Sequence, residues 1–415
     1  AEDRGAAPPA ASLRARWWAA LERWLEWCGD RLNPILVKET RLALKSRQFV
    51  ITFGLLLLCG WGWSIIGMAV AGPQIYYGAP GPDIFYGYYL ILAFPLSIIV
   101  PFGAFRSLAA EREDRTYELL SISALSSRQM IGGKLGSAIV QMLIYLSALS
   151  PCMAFTYLLR GIDFLTIGVL LVYTVLASVG LSLAALFLAT LATQRHWHVL
   201  LSVLIVAGLL LAFWAITFVM YVVVVDGEDL GLGEPGFWPV NAAIQTAYWS
   251  CFALVFFAAA AQLSFPSDNR ATRLRIVMML QHVLLAGWMG WVWIGPGQRD
   301  QGVPLIYLLL AAFYWYVMGA LMTGESPVLS PRVKRGLPQS FLGRVLLTWF
   351  NPGPGTGYVF AVCGMLAALA LAAVGVACRE SLGIEWRSPW LRDVPACILV
   401  FGVLALGYVT ACLGP

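Results

Sequence analysis

An all-α, polytopic membrane fold with about ten transmembrane helices is predicted by three features of this sequence. Of its 415 residues 60% are hydrophobic, and the mean hydropathy is +0.77. Only 12% are charged, where soluble domains carry about 25%. Apolar runs of about 18 residues or more recur along the chain, each able to cross a hydrocarbon core of roughly 30 Å as a helix. The alternating segments of a transmembrane β-barrel, about ten residues each, are absent.

Residues 1–12, rich in Ala and Pro, read as a disordered tail. From Leu13 to Cys28, Trp17, Leu21, Trp24, Leu25 and Cys28 fall on one helix face, with Arg14, Arg16, Glu22, Arg23 and Glu26 elsewhere. Tryptophan and arginine in this arrangement suit a helix lying in the membrane interface. The first long apolar run begins only near Val50, so no signal peptide is expected at the N-terminus. Asn33 and Pro34 then mark a second helix, with Asn as cap and Pro in the first turn. On it Lys38, Arg41 and Lys45 make a basic stripe, which beside a bilayer favours the cytoplasmic face.

The apolar runs place spans at 50–71, 84–105, 135–158, 164–193, 199–225, 240–264, 276–294, 304–323, 357–378 and 394–413. With a cytoplasmic N-terminus the inner segments are 1–49, 106–134, 194–198, 265–275 and 324–356. They hold 22 of the 27 Lys and Arg, while the 22 acids divide 12 inside and 10 outside. Lys and Arg set orientation and acids contribute little, so both termini are expected to be cytoplasmic, in a plasma (inner) membrane. Gln339–Phe350, with Phe341, Leu342, Val345, Leu346, Trp349 and Phe350 on one face, reads as another interfacial helix, broken by Asn351-Pro352. The organisation expected is 1–49 as tail and connector helices, 50–264 as a six-span domain, and 265–415 as a four-span bundle containing the cytoplasmic segment 324–356.

Every formal charge falls outside these spans. Ion-coupled carriers keep ionisable groups at mid-membrane, so an ion gradient is not the expected energy source. None of the four lysines (38, 45, 134 and 334) ends a GxxxxGK[ST] loop, so no nucleotide site is expected either. The eight cysteines form no CxxC or Cys/His cluster and read as small buried hydrophobes. The acidic loop 226–239 lacks DxDxDG spacing and reads as solvated. His196, His198 and His282 have no further ligands nearby in sequence, so no metal site is expected and His282 reads as a hydrogen-bonded membrane residue. GxSxG and HExxH are absent, and with them the case for catalytic residues. Energy for any work must come from a partner.

The segment Glu111–Lys134 stands out. It carries eight charges, Glu111, Arg112, Glu113, Asp114, Arg115, Glu118, Arg128 and Lys134, between two uncharged runs. Thr116 or Asp114 can cap a short helix whose apolar edge is Leu119, Leu120, Ile122 and Leu125. Apolar anchors inside a charged rim are the anatomy of a docking surface, although a helix lying on the bilayer is the alternative.

Glu113, Arg115, Thr116, Glu118, Leu119 and Leu120, then Ser126, Ser127 and Arg128, then Gly133 and Lys134, resemble the cytoplasmic segment between the second and third spans of ABC-2 type transporter permeases. Ala124 stands near the proline usual in that family. Asn33, Pro34, Lys38, Glu39, Arg41 and Lys45 resemble that family's connector helix entering the first span. The resemblance covers about residues 31–264. It implies a permease subunit that pairs with a second permease, identical or not, and is driven by a cytosolic ABC ATPase docked on the 111–134 coupling helix. No cofactor would then be bound directly, ATP being hydrolysed by the partner subunit. The bilayer is the other expected partner, and no nucleic acid is. A non-transporting membrane anchor or mechanical transmitter served by the same ATPase is the alternative. The chain itself is expected not to be an enzyme.

Overall fold

The computed structural model describes residues 33–72, 77–113, 126–191, 195–227, 231–265, 267–294, 302–325, 329–335, 340, 341, 343, 348–377, 400, 402–408 and 411. Among these residues there is no strand, and nine helices are long and apolar enough to cross a membrane. This is an all-α architecture consistent with a multi-pass membrane protein. The tail, the 13–28 helix, half of the 339–350 helix and most of the tenth span lie outside the described residues. Of the 339–350 helix, the described end Thr348–Phe350 is a single 3-10 turn. The chain divides into two compact units, Ala1–Glu228 and Asp229–Pro415.

In the first unit, α1 (Pro34–Lys45) covers the expected connector helix and α2 (Arg47–Ala71) the expected first span. Next come α3 (Gly81–Glu113), α4 (Ser127–Leu159), α5 (Phe164–Leu191) and α6 (Arg195–Val224). Residues 195–198, expected in a turn, already belong to α6, because neither Gly nor Pro stands there to interrupt it.

The unit is built around α3, the most buried of its spans. Pro95 has no N–H and its ring crowds the carbonyl four residues back, so α3 widens into a π turn over Pro95–Ile99, where the Val100 N–H reaches back to the Pro95 carbonyl. A carbonyl within that turn, Leu96 O, accepts from Ser178 Oγ on α5. Tyr89 and Thr174 hydroxyls meet at 3.0 Å in the same interface, and Arg112 donates to Thr190 O nearer its end. Polar cross-links of this kind suit helices packed where water cannot satisfy hydroxyls. The first span is held by fewer contacts. Trp63 on α2 donates to Ile84 O at 2.9 Å and lies so close to Gly87 that an added Cβ there would come within 2.0 Å of the indole. Its other faces are apolar and open, with Trp61 75% exposed, as expected for lipid contact.

In the second unit, α7 (Phe237–Gln262) packs on α8 (Ala271–Ile294), and α9 (Val303–Thr323) packs on α11 (Pro354–Ala377), with the short α10 (Pro331–Arg335) between. Trp288 on α8 donates to Thr246 on α7 at 2.8 Å. Beside a small apolar cluster at Trp293 and Val303, two larger ones fill the core. One centres on Leu308, Ala311, Met365 and Ala368, the other on Trp315, Met322, Phe360 and Ala361.

Candidate functional site

The connector helix and the end of the 111–134 segment are locked together. Asn33 caps α1, accepting from the Ile35 N–H at 3.1 Å through Oδ1, while its amide donates to the Gln129 carbonyl on α4. Gln129 belongs to the capping box that starts α4. Its N–H donates to Ser126 Oγ, and its side-chain oxygen accepts from the Ser126 N–H at 2.9 Å. The two helix caps are therefore tied to each other. Below them Gly133 leaves room for α1. A Cβ there would lie 2.7 Å from Ile35 Cγ2 and 3.0 Å from the Leu36 backbone nitrogen.

One turn below this cap-to-cap contact is the electrostatic centre. Lys134 is buried, its side chain 3% exposed, and its Nζ stands 3.1 Å from Glu39 of α1 and 3.1 Å from Glu111 of α3. Ser107 of α3 offers a hydroxyl oxygen at 3.4 Å and a carbonyl at 3.5 Å. A lone buried ammonium is too costly to tolerate, and two carboxylates with hydrogen-bond acceptors offset that cost. Lys134 thereby joins the helix leading into the 114–125 segment, the helix leaving it, and the connector helix.

The expected docking residues Arg115, Thr116, Glu118, Leu119 and Leu120 lie outside the described residues. Glu113, Ser126 and Arg128 flank that segment and are exposed. Of the connector residues, Glu39 faces Lys134 and Ile35 is buried against α4, while Lys38, Arg41 and Lys45 are exposed. The stripe spacing thus separates a solvated face from a packed one. Glu111 and Ser107 were not among the expected site residues. Ser107 and Glu111 stand two and six residues past the end of the second apolar run, and the one sequence signal for Glu111 is its place at the head of the charged segment.

The second unit has its own buried cation. Arg275, fully buried near the start of α8, pairs with Glu325 at 2.8 Å just past α9. It also donates to Trp349 O at 2.6 Å, Thr356 Oγ1 at 3.1 Å and Gly353 O at 3.2 Å. Glu325 in turn accepts from the Gly353 N–H at 2.6 Å. The Asn351-Pro352-Gly353 turn before α11 is therefore held by an ion pair. Burial pushes the Glu325 carboxyl above its ordinary value, against the opposing pull of the Gly353 N–H and the Arg275 guanidinium.

His282, buried in α8, accepts from the Trp315 indole N–H at Nδ1 (3.2 Å), which puts its proton on Nε2, where Tyr307 OH lies at 3.3 Å. Both ring nitrogens are thus engaged with protein groups. Among the described residues no cluster of three or more His, Cys, Asp or Glu could hold a metal ion. No protein-family model, curated protein or solved structure matches this chain.

Proposed function

We propose that this chain is the membrane-spanning permease subunit of an ABC-2 type transporter. It would move an unidentified substrate by ATP hydrolysis in a separate cytosolic ATPase docked on the 111–134 segment, beside a second permease subunit. The observation that carries this reading is the Lys134 junction. A force applied to the 114–125 segment reaches α3 through Glu111 and α4 through Lys134, and Lys134 hands it on to the connector helix through Glu39. Rigid helices joined by buried polar contacts are a physical route for such coupling. The segmentation that leaves no formal charge in mid-membrane supports an external energy source. The basic stripe of α1 supports a cytoplasmic setting for the junction.

Affinity purification of the tagged full-length protein from native membranes, followed by identification of co-purifying chains, tests the reading. A nucleotide-binding subunit is expected, and Glu118→Lys should reduce its recovery without lowering the amount of membrane-inserted protein. Recovery of no nucleotide-binding chain rules the proposal out. Recovery of one, without ATP-dependent substrate movement in reconstituted vesicles, favours a mechanical transmitter served by the same ATPase.

A further inference from the structure

Beside the Lys134 junction lies a cavity of about 430 Å³, walled by α1, α2, α3 and α4, within the roughly 300–1,000 Å³ range of small-molecule sites. Its charges are distributed unevenly. Glu39 and Glu111 line it, but both are turned onto Lys134. Lys38 from α1 and Arg106 from α3 also line it, both exposed, and neither has an ion-pair partner among the described residues. Arg106 rests 6.0 Å over the Phe102 ring, which leaves its guanidinium edge accessible. The remaining wall mixes apolar and aromatic side chains, Leu42, Phe49, Ile99 and Tyr145, with the uncharged polar ones of Ser46, Gln48, Ser137 and Gln141. Tyr145 is pinned through its hydroxyl to Thr52 at 2.6 Å, which fixes the ring on that wall.

We infer that this cavity binds the headgroup of an anionic phospholipid, with the phosphodiester between Lys38 and Arg106 and the first acyl carbons against Phe49, Ile99 and Tyr145. The charge balance supports the anion. Three cations face two carboxylates that already share one of the three. The location supports a lipid over a soluble anion, because the cavity is flanked by an interfacial helix and by the ends of three apolar spans. A basic pocket between membrane helices is the setting in which acidic headgroups are retained. The inference stands apart from the docking proposal, since it requires no ATPase.

The test uses the purified full-length protein in neutral detergent, with bound lipid counted by native mass spectrometry. Phosphatidylglycerol, phosphatidylcholine and soluble glycerol 3-phosphate are the probes. Phosphatidylglycerol should bind at least about tenfold more tightly than phosphatidylcholine, and glycerol 3-phosphate should not displace it. Lys38→Gln with Arg106→Gln should weaken it roughly 25-fold, each surface cation near an acidic headgroup contributing about fivefold. Gly103→Leu leaves every charge in place. A Cβ at Gly103 meets nothing within 4 Å and Gly103 lines the cavity, so the longer side chain fills the space and should weaken binding as well. Both replacements should leave unfolding of the lipid-free protein nearly unchanged. The inference is overturned if the two lipids bind equally, if glycerol 3-phosphate competes as well as the lipid, or if either variant binds phosphatidylglycerol as tightly as the wild type.

Discussion

Lys134 and Glu39, 95 positions apart in sequence, meet at 3.1 Å in a site where the lysine side chain is only 3% exposed. Glu111 completes the group from a third helix. Removing the cation leaves two carboxylates facing one another with little water. Lys134→Met should therefore destabilise the first unit by about 3 kcal/mol, the cost of breaking a buried pair from one side. Glu39→Gln should cost only about 1 kcal/mol, because Lys134 keeps Glu111. Thermal unfolding in detergent of both single variants and the double variant measures this, and the Lys134–Glu39 effects should be clearly non-additive.

The close approach of α1 to α4 makes a second prediction. Gly133→Ala places a Cβ 3.0 Å from a backbone nitrogen of α1, an atom with no rotamer through which to escape. The helix must shift, and a loss of about 1–3 kcal/mol is expected. Gly168→Ala on α5 is the control, since a Cβ there meets nothing within 4 Å. It should be neutral or stabilising by up to about 1 kcal/mol from helix propensity.

Glu325 gives the second unit a defined pH dependence. Burial raises its carboxyl above the ordinary 4.5, so the folded state holds this proton more tightly than the unfolded chain does. Its contribution to stability is complete below the ordinary value and is lost as pH rises through the raised one. Glu325→Gln cannot titrate. Unfolding scans from about pH 4 upward should show the wild type losing stability relative to Glu325→Gln as pH rises. The reverse trend would mean that Arg275 and the Gly353 N–H outweigh burial.

At His282 the two neighbours should differ in weight. Trp315→Phe removes the donor to Nδ1 and leaves a buried acceptor unsatisfied, at about 1–3 kcal/mol plus the cost of the smaller ring. Tyr307→Phe leaves the Nε2–H without its partner, but that contact is the longer one at 3.3 Å and the ring volume is kept, so the cost should be about 1 kcal/mol, the low end of the same range. Denaturation of the two variants under identical conditions ranks them.

The expected orientation is open to direct measurement. Arg128→Cys should react with an impermeant thiol reagent only from the cytoplasmic side in sealed vesicles, and Glu234→Cys only from the other. Unmodified free cysteines, such as the exposed Cys59 and Cys251, are removed first.

Apolar run length is a one-dimensional quantity, and a bilayer reads it almost directly. The sequence by itself therefore determined the helical class and six spans to within about five residues of α2, α5, α7, α8, α9 and α11, while α3 and α4 each run eight residues further toward the 114–125 segment than their apolar runs. It also located the cap at Asn33, because a cap is local chemistry between residues two or three apart; Ser126 entered only as part of a motif, and its capping of α4 is a finding of the structure. It missed that 195–198 continue as helix, since a short polar run without Gly or Pro looks the same in a turn and in a first helical turn. What only the tertiary structure decided is which charges meet. Lys134, Glu39 and Glu111 come from three separate helices, and Arg275 and Glu325 are 50 positions apart. No periodicity along a chain encodes such pairings, because they depend on how the helices rotate and cross as their apolar faces and small residues pack. Composition could say that these ionisable groups must find partners; packing chose them.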